Sequence, residues 1–262
     1  MSLNLDLTGR VAVVTGGTRG VGAGIARSFL RAGAKVVVCA RRPPDAAVTA
    51  DGRTARFHAV DLREPAAVQE FFQGVAADHG RLDCLVNNAG GSPYRLLDGT
   101  TAERHARVVE LNLIAPLTAA LAAYEVMRDQ PEGGSVIMIG SVSGTRPSPG
   151  TAAYGAAKAG LDNLARSMAV EWAPHVRVNT LVLGMVRTEL SALHYGDEAG
   201  VAAVGATVPL GRLAEPTEIG DACVFLASGR AGYVSGASLL VHGGGERPAF
   251  LDAATVNHSK ES

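Results

Sequence analysis

The stretch Arg10-Val11-Ala12-Val13-Val14-Thr15-Gly16-Gly17-Thr18-Arg19-Gly20-Val21-Gly22 decides the fold. Four successive apolar residues read as a strand, and without polar alternation both of its faces should be covered. A helical pattern follows the glycines at once, near residues 20–32. Strand, glycine turn and helix in this order open a βαβ unit. The glycines let the backbone approach a ligand closely, and the helix N-terminus offers unpaired N–H groups and a partial positive charge, which together make a seat for a pyrophosphate. No Gly-Lys-Ser/Thr follows, which argues against a nucleoside-triphosphatase loop.

Outward from that turn the rhythm repeats. Runs at 10–15, 35–40, 56–60, 82–86, 135–140, 177–182 and 238–241 read as strands, with helix-length segments near 20–32, 64–79, 102–128, 152–172 and 215–228. The alternation predicts right-handed crossovers and an α/β, doubly wound parallel sheet of about seven strands with helices on both faces. No Pro/Ser-rich linker interrupts it, so one Rossmann-type catalytic domain is expected over 1–245. Within it, 188–213 is Ala/Gly-rich and reads as a short helix with loops covering a pocket. Residues 246–262 read as a polar C-terminal tail.

Composition narrows the class. Of 262 residues 47% are hydrophobic and 19% charged, which fits a packed globule, and 24 Lys+Arg against 25 Asp+Glu leave none of the basic excess expected of a nucleic-acid binder. Cys39, Cys84 and Cys223 are scattered, with neither disulfide nor zinc spacing. No secretory signal is visible at the start and no apolar run approaches the roughly 18 residues of a membrane span. A cytoplasmic protein with reduced thiols is the expectation. The seven histidines form no metal motif.

The spacing T-G-x-x-x-G-x-G at Thr15–Gly22 resembles the short-chain dehydrogenase/reductase family, and the resemblance extends over about 240 residues. It implies cofactor contacts at Gly16, Thr18, Arg19, Gly20, Val21 and Gly22. It further implies that Asp61-Leu62, after the third strand, hold the adenine, and that Asn88, Ala89 and Gly90, after the fourth, pack against the cofactor. An NAD site would place a carboxylate at the end of the second strand. That end reads Cys39-Ala40-Arg41-Arg42, with no acid before Asp45. Arg41, with Arg19 opposite, suits the 2′-phosphate of NADP(H). NADP(H) is therefore the preferred cofactor, with NAD(H) the alternative.

The chemistry is expected around Ala152-Ala153-Tyr154-Gly155-Ala156-Ala157-Lys158. Residues i and i+4 share a helix face, so Lys158 can bring its ammonium near the Tyr154 phenol and lower its pKa toward neutrality. Ser141, at the end of the fifth strand, matches the family's substrate-anchoring serine, with Ser143 as the fallback. Asn112 matches the family's fourth catalytic member. Pro116, four residues on, has no N–H for the Asn112 carbonyl, so a kink is expected there, with that carbonyl holding a water that relays protons from Lys158. By the same resemblance Lys158 also holds the nicotinamide ribose.

The resemblance loosens after the sixth strand. Gly184 is present, the usual Pro before it is Leu183, and Val186 and Thr188 still match cofactor contacts. His242 stands where an Asp is common. The segment 188–213, with Leu190, Leu193, His194 and Tyr195, is expected to lid the pocket, and Trp172 to pack. The small residues Ala153, Gly155, Ala156, Ala157, Ala159 and Gly160 allow close helix approach, and the resemblance implies a homotetramer or homodimer through that helix and the Asn112 helix. Two activities fit: a carbonyl reductase resembling 3-oxoacyl-carrier-protein reductases, and an alcohol, sugar or steroid dehydrogenase working oxidatively. A non-catalytic dinucleotide sensor is a third reading, disfavoured by the intact Asn112, Ser141, Tyr154 and Lys158. Sugar-nucleotide epimerases share YxxxK but have a different glycine turn and a larger C-terminal domain.

Overall fold

The computed structural model describes residues 5–253. Seven parallel strands form one sheet: β1 (Val11–Thr15), β2 (Lys35–Ala40), β3 (Arg56–Ala59), β4 (Cys84–Asn87), β5 (Gly134–Ser141), β6 (Val176–Leu183) and β7 (Ser238–Val241). Their order is β3-β2-β1-β4-β5-β6-β7, so the winding reverses beside β1. A small antiparallel ladder of Thr49–Ala50 with Arg53–Thr54, absent from the sequence reading, precedes β3.

Alternation along each strand explains the continuous apolar runs. Val11, Val13, Leu85, Val136 and Met138 enter one core, and Ala12, Val14, Val86, Ile137 and Ile139 the other. The first core is covered by α2 (Pro65–His79), α4 (Ala115–Met127) and α5 (Ala152–Glu171), the second by α1 (Gly20–Arg31) and α8 (Pro216–Ala227). Two buried faces leave no side of the sheet wet.

The predicted helix at 102–128 is three pieces: α3 (Ala102–Val109), a π-helical turn (Glu110–Ile114) and α4. The Ala115 N–H donates to the Glu110 carbonyl, five residues back. The turn absorbs the bond Pro116 cannot make, so the expected disturbance takes the form of a π-bulge. By length and composition the span Ala102–Met127 could cross a membrane, which the sequence reading had not anticipated. Here its Ala115, Ala119, Ala120, Ala123 and Met127 are core residues against the sheet.

The segment 188–213 contains two short helices, α6 (Ser191–Tyr195) and α7 (Glu198–Ala206), where one was expected. Beyond β7, Ala249–Ala253 forms α9, and Glu246 is ion-paired with Arg146. The remainder of the expected tail, 254–262, lies outside the described residues. Trp172 is buried, its ring stacked on Tyr124 with centroids 4.5 Å apart.

Candidate active site

The carboxyl ends of β1, β2, β4, β5 and β6 surround a cavity of about 840 Å³. Gly16, Thr18, Arg19, Gly20, Val21, Gly22, Arg41, Asp61, Leu62, Asn88, Ala89, Gly90, Ser141, Tyr154, Lys158, Gly184, Val186 and Thr188 all line it. Asn112 stands behind that wall, fully buried.

At one end α1 starts immediately after the glycine turn. A Cβ on Gly22 would lie 2.3 Å from the Gly16 carbonyl oxygen and 2.5 Å from Asn88 Nδ2, so only glycine lets helix, turn and the strand-β4 loop close together. Thr15 Oγ1 accepts from the Asn88 and Ala89 N–H groups, both at 3.0 Å, and Asn88 Nδ2 donates to the Thr15 carbonyl at 2.9 Å. Thr15 therefore ties the two loops, a role the sequence reading did not assign. A buried threonine ending an apolar strand is the signal that could have found it. The N–H of Gly20, at the start of α1, donates to the Glu189 carboxylate at 2.9 Å. An anion thus sits on this helix terminus within the molecule itself, and the turn fits the pyrophosphate of a dinucleotide.

Arg19 and Arg41 face this cavity, while Arg42 lines only a second one outside it. Arg63, missed at the sequence level, lines it as well. Its guanidinium donates to Asp61 through Nε at 3.0 Å and Nη2 at 2.5 Å, and holds that carboxyl at about 2, well below the ordinary range. Asp61 is therefore a charged, arginine-clamped wall of the cavity. The Asp-x-Arg spacing just after β3 was its visible signature.

At the other end, α5 presents Tyr154 and Lys158 to the tip of β5. The Ser141 hydroxyl hydrogen-bonds the Tyr154 side chain, and Ser141 Oγ accepts from the Ser143 N–H at 3.2 Å. Ser143 thus supports Ser141 through its backbone. Lys158 is buried, donates to the Ile139 carbonyl at 2.8 Å, and lies 5.5 Å from the centroid of the Tyr154 ring. Burial pushes its ammonium down to about 8. Burial pushes the Tyr154 phenol up, and the Ser141 hydrogen bond counters only part of that. The expected acidification of Tyr154 by Lys158 is not a property of this arrangement: the ammonium lies over the ring and donates to the Ile139 carbonyl of β5.

Asn112 is used through its side chain. Oδ1 accepts from the Gly91 N–H at 2.9 Å, and Nδ2 donates to the Gly91 carbonyl at 3.0 Å and the Val108 carbonyl at 2.9 Å. A Cβ on Gly90 would lie 2.6 Å from Asn112 Oδ1 and 3.5 Å from Lys158 Nζ, so the loop after β4 is wedged between the two.

Within 188–213, Leu190, His194 and Tyr195 line the cavity, whereas Leu193 is 79% exposed. His242 packs against Gly184, where a Cβ would approach its Cα to 2.8 Å. Of the small residues on α5, Gly155 and Ala157 are buried within the chain, whereas Ala156 and Ala159 are exposed. No group of three or more potential metal ligands exists among the described residues.

Residues 16–246 match the family model described as enoyl-(acyl carrier protein) reductase. The chain is 36% identical, over 92% of its own length and 98% of the relative's, to the 3-oxoacyl-[acyl-carrier-protein] reductase FabG of Vibrio cholerae. It is also 36% identical to the L-fucose dehydrogenase of Oryctolagus cuniculus, over 94% of this chain and 88% of that one. A solved structure described as the Pseudomonas aeruginosa RhlG/NADP active-site complex aligns with a TM-score of 0.83 at 32% identity, covering 93% of this chain and 99% of that chain.

Proposed function

The chain belongs to the short-chain dehydrogenase/reductase family of oxidoreductases, and from that premise we propose that it interconverts a carbonyl and a secondary alcohol with NADP(H). One observation carries this reading: the hydrogen-bonded pair Ser141–Tyr154, with Lys158 buried behind it, opens into the same cavity as the glycine turn.

The nicotinamide, when bound, supplies or accepts the hydride. Tyr154 gives or takes the proton at the substrate oxygen. Ser141, already aligned by the Ser143 N–H, positions and polarises that oxygen. Lys158 sits within reach of the tyrosine ring and, at about 8, is poised to exchange protons near neutral pH. Its effect on the tyrosine requires the ammonium to leave the Ile139 carbonyl and approach the phenol when the site fills. The Asn112 carbonyl cannot take the usual helical bond from Pro116 and is proposed to hold a water linking Lys158 to solvent. Asp61, Leu62, Asn88, Ala89 and Gly90 would flank the adenosine half, and Gly184, Val186 and Thr188 the nicotinamide half. The domain is read as 1–245, with 188–213 as the substrate lid.

NADP(H) over NAD(H) is supported by Arg19 and Arg41 at the cavity end where an NAD site would carry an acid. The NADP complex of the structural neighbour points the same way. A homotetramer is supported by apolar side chains left in solvent on the α4–α5 face (Ile114, Leu121, Val170) and along β7 (Leu239, Leu240). A cytoplasmic location is supported by three free, buried thiols. The likeness to L-fucose dehydrogenase favours a second reading, oxidation of a sugar or other alcohol by the same residues.

Fluorescence titration with NADPH and NADH tests the cofactor, and a ketone and alcohol panel tests the reaction. NADPH should bind at least tenfold tighter than NADH, and Arg41→Asp should erase that margin. Tighter NADH binding would contradict the reading of Arg41.

A further inference from the structure

The anion on the N-terminus of α1 is unusual in its origin. Glu189 comes from the first turn of the lid, 169 residues further along the chain, and accepts the Gly20 N–H at 2.9 Å. The surrounding contacts show the lid resting on the glycine turn. A Cβ on Gly20 would meet Thr188 Cγ2 at 3.6 Å and Glu189 Oε1 at 3.8 Å. The lid's own polar groups are also turned inward: the Leu190 N–H donates to Thr188 Oγ1 at 3.3 Å, and the Thr188 N–H to Ser191 Oγ at 2.9 Å. Thr18, Arg19, Gly20, Arg41, Thr188 and Glu189 line both this cavity and the outer one of about 1350 Å³, so Glu189 stands at the junction of the two.

We infer that Glu189 is an intramolecular competitor of the cofactor's pyrophosphate. The inference rests on the dinucleotide reading of the site given above. A carboxylate and a phosphate oxygen ask the same thing of a helix N-terminus: an unpaired N–H and a positive end of the dipole. Both cannot hold the Gly20 N–H, and two anions at one terminus repel. Cofactor entry therefore has to displace Glu189, and displacing it lifts the start of the lid from the turn. The Thr188 hydroxyl is then free for the cofactor it is expected to contact. In the reverse direction, return of Glu189 to Gly20 helps expel the spent cofactor. Glu189 thus sets cofactor affinity and couples the lid to it, without touching the reacting atoms.

The effect should be confined to ligands that carry a pyrophosphate. NADPH and 2′-AMP separate the cases, since 2′-AMP has the adenosine 2′-phosphate and nothing to place on Gly20. Titration of NADPH fluorescence, with 2′-AMP measured calorimetrically, compares wild type with Glu189→Gln and Glu189→Ala, both at an exposed position. Both variants should bind NADPH about three- to tenfold tighter, the scale of one charge-assisted contact at a helix terminus. Their affinity for 2′-AMP should stay unchanged. NADPH affinity equal to or weaker than wild type in both variants overturns the inference, as does equal tightening toward 2′-AMP, which would mark a general charge effect. A wild type that binds neither NADPH nor NADH overturns the dinucleotide reading itself, and the inference with it.

Discussion

Lys158 is held against its own chemistry. The unfolded chain keeps its ammonium in water, whereas the fold buries it and offers one carbonyl, that of Ile139. Its pKa falls from 10.5 to about 8, so below pH 8 the folded protein carries a desolvated charge that the unfolded chain does not. Between about 8 and 10.5 the folded state loses the proton first, and stability rises with pH across that window. Lys158→Met should therefore be more stable than wild type at pH 7, by up to about 3 kcal/mol, with the margin shrinking toward pH 10.5. Urea denaturation at pH 7 and pH 10 checks this, and a margin independent of pH would contradict it. The Tyr–Lys spacing of four was legible in the sequence because helical geometry alone puts i and i+4 on one face. The protonation behaviour was not, since it depends on how much water the fold removes around Tyr154, Lys158 and Ser141, and no local pattern encodes that.

Among the elements, the strand–turn–helix at β1 and α1 was read correctly from a dozen residues, because a strand covered on both faces and a glycine turn leave strong local marks. Its fastening was hidden. Thr15 is joined to Asn88 and Ala89 across 73 and 74 residues, and Glu189 to Gly20 across 169. Such partners are chosen by topology, since β1 and β4 are neighbours in the sheet but not in the chain. Thr15→Val should orphan the Ala89 N–H, leave the Asn88 N–H only the Val86 carbonyl, and cost about 1–3 kcal/mol in unfolding free energy. It should also weaken NADPH binding, because the loop carrying Asn88 and Gly90 would lose its register with the glycine turn. A variant with wild-type stability would show that Thr15 is not the tie. The π-turn at Glu110–Ile114 was half legible: Pro116 announced an irregularity, but whether a helix kinks or bulges depends on its packing, and here Asn112 has to reach Gly91.

Across the whole molecule, the sheet order places every expected cofactor and catalytic residue but Asn112 on one cavity wall. That convergence follows from the winding: the strands run parallel, so their carboxyl ends share one edge, and the reversal beside β1 opens a crevice there. The faces left over point outward. Leu239 and Leu240 on the edge strand and Ile114, Leu121 and Val170 on the α4–α5 side are apolar and exposed. Sedimentation equilibrium should find four times the 26.9 kDa chain mass, and a species at 26.9 kDa alone would contradict the proposed assembly. The account turns most directly on Tyr154, and one measurement addresses it: the rate of NADPH-dependent reduction of a ketone that the wild type turns over, in Tyr154→Phe, with NADPH affinity measured on the same preparation. The account predicts a fall in kcat of about 10²–10⁴-fold with cofactor affinity within a few-fold of wild type. Undiminished turnover in Tyr154→Phe would contradict it.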